Sequence, residues 1–362
     1  MLDRFKVQSD DQVRVSPEGL RRTVGHVFEK MGLTTEDAAI GADVLVAADM
    51  RGVDSHGVSN MLREYVRGFR EGELNPTPSW RIVRESPSTA TIDADRGLGI
   101  VLGPQAMDIA IKKAGEVGVG IVTMSNGRHL GAVGHHAMLA AQKDMVGMCM
   151  TATRPAVVPT FGAEPWFGTN PVSIAAPAKN EPPVLFDAAT CSIANNKVRL
   201  AARMGSMLHP GWVTDKAGNP IMEETVPRER GEFFLLPLGA TREMGSHKGY
   251  GLAMMVEILG TLLSGALPHA LNPSSGYKHF FAAYNIAAFT DVDQFKETMD
   301  EMLRSLRKIK PVNGQDRVLY PGLLEHEEWE ERSAHGIPLH KEVVDWFGKI
   351  TSELGIPPLR IQ

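Results

Sequence analysis

The run NPTPS at residues 75–79 is the sharpest break in this sequence, because the spacing of apolar residues changes character on its two sides. Before it, apolar residues recur at helical intervals. Ser16 precedes Pro17 and Glu18 and caps a helix with Leu20, Val24, Val27, Phe28 and Met31 on one face. Thr35, Glu36 and Asp37 open a second helix, which carries Ala39, Val44, Leu45 and Ala48 and stops near Gly52. A third presents Met61, Leu62, Tyr65, Val66 and Phe69 to a core and ends at Gly72. After the break, strands are predicted at 81–84, 90–93, 120–123 and 146–150, alternating with helices near 104–117 and 131–143. Residues 151–239, rich in Pro, Gly and Asn, read as loops over a sheet. A buried helix is expected at 249–264, and amphipathic helices return from 291 to 355.

The expected chain is therefore α/β (α+β). A helical domain forms from 1–78 with 291–362, and a mixed α/β domain from 79–290, with a functional cleft between them. The net charge of −5, with basic and acidic residues interspersed, offers no basic face for nucleic acid. The long apolar stretch at 249–267 contains Glu257 and several glycines, so it does not read as a membrane span. The N-terminal MLDRFKVQSDDQVRVSPEG has charge where an export signal needs an apolar run, and Cys149 and Cys191 are the two cysteines. Both features point to a reducing, cytoplasmic setting.

Several segments carry chemistry. In RGVDSHGVSN, Asp54, Ser55 and His56 lie between two helices. His56 has the side chain best suited to exchange a proton near neutrality, while Asp54 and Ser55 are equally at home as helix caps with His56 a plain loop residue. SNGRHLGAVGHH places His129 in a glycine-spaced strand-to-helix loop. His135 and His136 adjoin, but neighbours on a helix point about 100° apart, and no H-E-x-x-H pattern accompanies them; no metal is expected. DRGLGIVLG imitates a phosphate loop, yet the strand before it is acidic and the next strand lacks the ribose-binding acid, so a Rossmann site is rejected. Asn170 in FGTNP and Asp187 in LFDAAT either hold a ligand or close turns. Lys248, at the head of the apolar helix, is either an anion site or a surface lysine.

Taken in order, DMRGVDSHGV, SNGRHLGAVG, FGTNP, LFDAAT, HKGYGLAM, YPGLLE and HGIPL resemble the family of malate/L-lactate dehydrogenases that are unrelated to Rossmann-type enzymes. Relatives include ureidoglycolate, sulfolactate and hydroxycarboxylate dehydrogenases and diketogulonate reductase. The resemblance implies a non-Rossmann, largely antiparallel central sheet that binds NAD or NADP, and a homodimer whose helical domain forms the dimer and substrate side. It implies an oxidoreductase that interconverts a small 2-hydroxy acid and its 2-oxo acid. His56 would be the acid/base and His129 would stand at the same site, a rival for that role. Ser55, Asn60 and Arg63 would meet the substrate. Thr153, Asn170, Asp187, Ala188, Ala189, Lys248 and Gly249 would meet the cofactor. Many relatives have arginine four positions after the SHG histidine, where this chain has Asn60; Arg63 is the nearest cation. Asn196 likewise replaces a glycine before Lys197. A metal-dependent lyase or isomerase, and a catalytically silent cofactor-binding homologue, are the competing readings.

Overall fold

A computed structural model describes residues 6–229 and 231–361. Three helices open the chain: α1 (Pro17–Lys30), α2 (Thr35–Met50) and α3 (Val58–Arg70). Each begins where the sequence supplies a way to start. The Ser16 hydroxyl accepts from the Gly19 N–H at 3.0 Å, and the Thr34 hydroxyl accepts from the Asp37 N–H at 3.1 Å. For α3 the buried Asp49 serves, its Oδ2 accepting from the Val58 N–H at 2.8 Å. Helix α2 is buried along most of its length from Gly41 to Met50, against α1, α3 and the helix that follows.

Strands β2 (Arg81–Glu85), β3 (Thr89–Asp93), β4 (Val119–Gly127) and β5 (Met145–Ala152) lie where alternation places them, give or take their ends. Helix α4 (Gly99–Val117) starts five residues ahead of the expected 104. Pro104 is not its first residue but sits in the second turn, where the missing N–H forfeits only one early bond. Helix α5 (Val133–Ala141) follows the His129 loop. The stretch read as loops also holds β6 (Val172–Ala176), β7 (Val184–Ala188) and an unexpected helix, α6 (Asn195–Arg203).

The sheet order is β2-β3-β4-β8-β5-β6-β7, and β3–β4 is its one parallel pair. Its centre is β8 (Tyr277–Asn285), a strand the sequence reading missed. Phe281 and Ala283 of β8 join the main core with α4 and α5, while Phe280 and Ala282 join a smaller core with Val256 on the opposite face. Burial on both faces leaves no apolar–polar alternation to read.

That opposite face carries α7 (Ser246–Val256), which continues through a π-helical turn at Glu257–Thr261. The expected burial of this segment is corrected in the single chain. Leu252, Met255, Ile258, Leu262 and Leu263 are 40–58% exposed, because only the inner side of α7 meets the sheet. Among the described residues no helix is long and apolar enough to cross a membrane. Both cysteines are free and buried.

The carboxyl-terminal part consists of α8 (Val292–Arg307), α9 (Leu323–His335), β9 (Ile337–His340) and α10 (Lys341–Leu354). Strand β9 pairs with β1 (Gln12–Val15), α9 meets α2, and α10 meets α1. Helix α8 stays by the sheet edge, with Met299 and Leu303 against Ala178 and Val184.

Candidate active site

A cavity of about 720 Å3 opens between α3, the loops after β4 and β5, and the start of α6. His56 and His129 stand on its wall with their rings stacked, centroids 5.9 Å apart and planes 13° from parallel. His56 comes from the α2–α3 turn, and His129 from the loop between β4 and α5. Burial pulls His56 down to about 4, with the Lys197 charge adding to the effect. Burial also pulls His129 down to about 3, assisted by His56 and His279. Both imidazoles are neutral at pH 7.

The two rings differ in their hydrogen bonds. The Gly131 N–H points at His129 Nδ1 at 3.2 Å, and a backbone amide can only donate. Nδ1 therefore offers its lone pair, the Tyr65 hydroxyl at 2.7 Å donates to the same atom, and the ring proton belongs on Nε2. His56 Nδ1 instead faces the Ser55 hydroxyl at 2.9 Å, which can donate or accept. His56 is thus free to exchange tautomers, and His129 is fixed as an Nε2–H donor.

Beneath His56 lies a buried ion pair. Arg332 of α9 reaches Asp54 at 2.5 Å and donates to the Asp49 carbonyl at 2.5 Å. The Asp49 carboxyl is raised well above the usual range by burial and then by Asp54, which favours its protonated form at the start of α3.

Charge on the cavity wall is predominantly positive. Arg67, Arg128, Arg154, Arg199 and Arg228 line it, against Glu64, Glu73 and Glu229. Arg128 donates to the Glu73 and Gly127 carbonyls, both at 2.9 Å, and is pulled below its ordinary value by burial and then by Arg96 and Arg154, so neighbouring cations crowd it. An anion would relieve that crowding.

Of the residues singled out in the sequence, Ser55, His56, His129 and Thr153 meet at or beside the cavity. Asn60 does not face it as a carboxylate ligand. Its amide spans to Asn196 O (3.1 Å) and takes a bond from Arg203 (3.0 Å), tying α3 to α6. Arg63 turns away: Glu342 of α10 pairs with it at 2.5 Å, and its guanidinium lies 5.3 Å from the Trp346 ring centre. Asn170 is completely buried. Its Oδ1 accepts from the Thr153 N–H (3.0 Å) and its amide N–H groups go to Ala253 O and Glu257 (both 3.2 Å), leaving no donor for a ligand. Asn170 thus shapes the Thr153 loop from behind.

Asp187, the last residue but one of β7, sits in a crowded recess that solvent still reaches. The crowding lifts its carboxyl to about 6, although the Gly134 N–H donates to it at 2.7 Å and Arg51 and Lys197 oppose the rise. Lys197 acts on both Asp187 and His56, so the three share one electrostatic neighbourhood. Ala188 and Ala189 follow Asp187, and Lys248 and Gly249 lie in the first turn of α7; none of these four lines the cavity. Sequence reasoning placed Tyr65 only in the core and passed over Lys197 and Arg128. A tyrosine on the apolar face of α3, needing a partner for its hydroxyl, was the available signal.

The profile of the malate/L-lactate dehydrogenase family matches residues 15–347. The chain belongs to this family. The malate dehydrogenase of Pyrococcus abyssi is 39% identical, the match covering 97% of this chain and 98% of that one. The L-sulfolactate dehydrogenase of Methanocaldococcus jannaschii is 37% identical over 94% of this chain and 97% of its own. The crystal structure of malate dehydrogenase from Entamoeba histolytica superposes with a TM-score of 0.91 at 33% identity, covering 96% and 99% of the two chains. All three are dehydrogenases, which speaks for hydride transfer and against a lyase or isomerase.

As a malate/L-lactate dehydrogenase family member, the chain is an oxidoreductase of small 2-hydroxy and 2-oxo acids, and the family implies a nicotinamide cofactor. The cavity fits such a group: its volume is that of a small-molecule site, its arginines suit phosphates, and Thr153 and Thr169 offer hydroxyls. Among the described residues no three His, Cys, Asp or Glu side chains group as metal ligands.

Proposed function

We propose that this chain interconverts an anionic 2-hydroxy acid and its 2-oxo acid, with His56 carrying the proton and His129 as a fixed hydrogen-bond donor beside it. The difference in hydrogen bonding between the two stacked rings carries this reading. When His56 keeps its proton on Nδ1 and donates that N–H to the Ser55 hydroxyl oxygen, its bare Nε2 can accept a hydroxyl proton during oxidation and return it during reduction. His129, held in one tautomer, polarises an oxygen without taking its proton, as a neutral imidazole can. The cofactor, NAD(H) or NADP(H), supplies the hydride. Arg128, next to His129 on the cavity wall and steadied by the Glu73 and Gly127 carbonyls, is the cation for the substrate carboxylate in place of Arg63. The cavity wall draws on α3 from the first 78 residues and on loops from 79–290, which supports a division at NPTPS.

The test is a panel of 2-oxo and 2-hydroxy acids assayed with each nicotinamide dinucleotide. Arg128→Met is expected to raise KM for the acid substrate, and Arg63→Met to leave it near the starting value. The opposite pattern would return the carboxylate to Arg63. Two free, buried cysteines support the cytoplasm as the working compartment.

The homodimer is proposed to form not through the helical domain, as expected, but through the outer face of α7 and the turns after it, where Leu252, Met255, Ile258, Leu262 and Leu263 are exposed. Ile258→Asp is expected to yield monomers in sedimentation analysis; an unaltered dimer would move the interface elsewhere.

A further inference from the structure

Two fully buried histidines are left over from the site, His136 on α5 and His279 on β8. Each reaches a carbonyl of the loop that carries His129. His136 Nε2 lies 2.8 Å from Leu130 O, and His279 Nε2 lies 3.1 Å from Arg128 O. Carbonyls only accept, so both rings must carry their proton on Nε2. The Thr151 hydroxyl, 2.7 Å from His279 Nδ1, then donates and locks that tautomer. Both rings also pack on Phe281, at 6.0 and 6.2 Å between centroids. The carbonyls of the two residues that neighbour His129 are therefore held by donors from two different elements.

The glycines of DRGLGIVLG complete the arrangement. A Cβ on Gly99 would come within 2.4 Å of Arg128 O and 2.7 Å of His129 O, and one on Gly103 within 2.5 Å of His136 Cε1. The motif that imitates a phosphate loop is thus the seat on which the His129 loop and His136 rest. It binds backbone, not phosphate.

We propose that His136 and His279 are positioning residues for His129, gripping the carbonyls that flank it so that its imidazole stacks on His56 in one orientation. The proposal rests on the reading that His129 acts on the substrate. Small displacements of a group at a reacting centre are expensive, so loss of either grip is expected to lower kcat on the order of 10²-fold. KM for the dinucleotide should change little.

The experiment compares His136→Leu, His279→Leu and His279→Gln in the full chain, each also in a His129→Ala background. His279→Leu should lose kcat, and His279→Gln, which keeps an N–H donor, should recover most of it. In the His129→Ala background His279→Leu should cost nothing further, since the group it positions is gone. Losses that multiply with His129→Ala, or full kcat in both leucine variants, would overturn the proposal. Full kcat in His129→Ala alone would instead overturn the functional reading on which it rests. Should the leucine variants fail to fold, Gly103→Ala pushes on His136 from α4 and must show the same kcat loss and the same non-additivity; an unchanged kcat would overturn the proposal equally.

Discussion

Replacing Arg332 by methionine tests how the carboxyl-terminal helix α9 supports the catalytic turn. The guanidinium answers Asp54 at 2.5 Å, with the two side chains only 5% and 10% exposed, and it also holds the Asp49 carbonyl. Removing one partner of a buried pair leaves the other charge without compensation, at about 3–5 kcal/mol. Glu328, the third partner at 3.0 Å, is 28% exposed and can turn to water, so it adds little. For a chain of this size each kcal/mol is worth about 2 °C, giving a fall in Tm of about 6–10 °C. Differential scanning calorimetry at pH 7 reads it. The double variant with Asp54→Asn should recover most of the loss, because a neutral amide no longer needs the cation. A single-variant loss below about 1 kcal/mol, the size of an exposed pair, would refute the reasoning. So would a double variant whose loss is the sum of its parts.

Other outcomes follow from the same geometry. His56→Ala should lower kcat by roughly 10²- to 10⁴-fold while dinucleotide binding, followed by nicotinamide fluorescence, persists; an unchanged rate would shift the proton to His129. Asn170→Leu should cost about 2–4 kcal/mol in urea unfolding, since the part-buried Thr153 N–H and the buried Glu257 lose their partner; a change within about 0.5 kcal/mol would show that water replaces the amide. Stability should fall as pH drops below the unfolded histidine value of 6.5 toward the folded values of about 3 to 4, because His56, His129, His135, His136 and His279 bind protons only when unfolded in that window. Asp187, raised to about 6, and Asp49, also raised by burial, act in the opposite sense but are two against five histidines. A urea midpoint that is flat from pH 7 to 5 would contradict this.

The opening helices were legible because each carries its own start and stop: Ser16, the run at residues 35–37, Gly52 and Gly72 act within a few residues, though the cap of α2 proves to be Thr34, one residue earlier. Strands β3, β4 and β5 were legible from short apolar runs. Strand β8 was not, since burial on both faces removes the alternation and its partners lie more than a hundred residues away. Helix α6 hid in a polar stretch whose apolar face, Val198, Leu200 and Ala201, is short. The same limit governs the site. His56 and His129 could be read from their motifs, but Arg63 could not be known to belong to Glu342, 279 positions on. Nor could the sequence show that Asn170 spends its amide on the interior, or that His136 and His279 hold one loop from two elements.

The late arrival of β8 bears on how the protein is made. Strands β4 and β5, consecutive in sequence, do not pair with each other; both wait for residues 277–285. A nascent chain emerging from the ribosome therefore holds two three-stranded halves, each with a raw hydrogen-bonding edge, until more than three-quarters of it has been synthesised. Such edges invite pairing with other chains. A stop codon anywhere between 153 and 276 should thus give insoluble product rather than a smaller folded unit, and chaperones have their longest task over that interval.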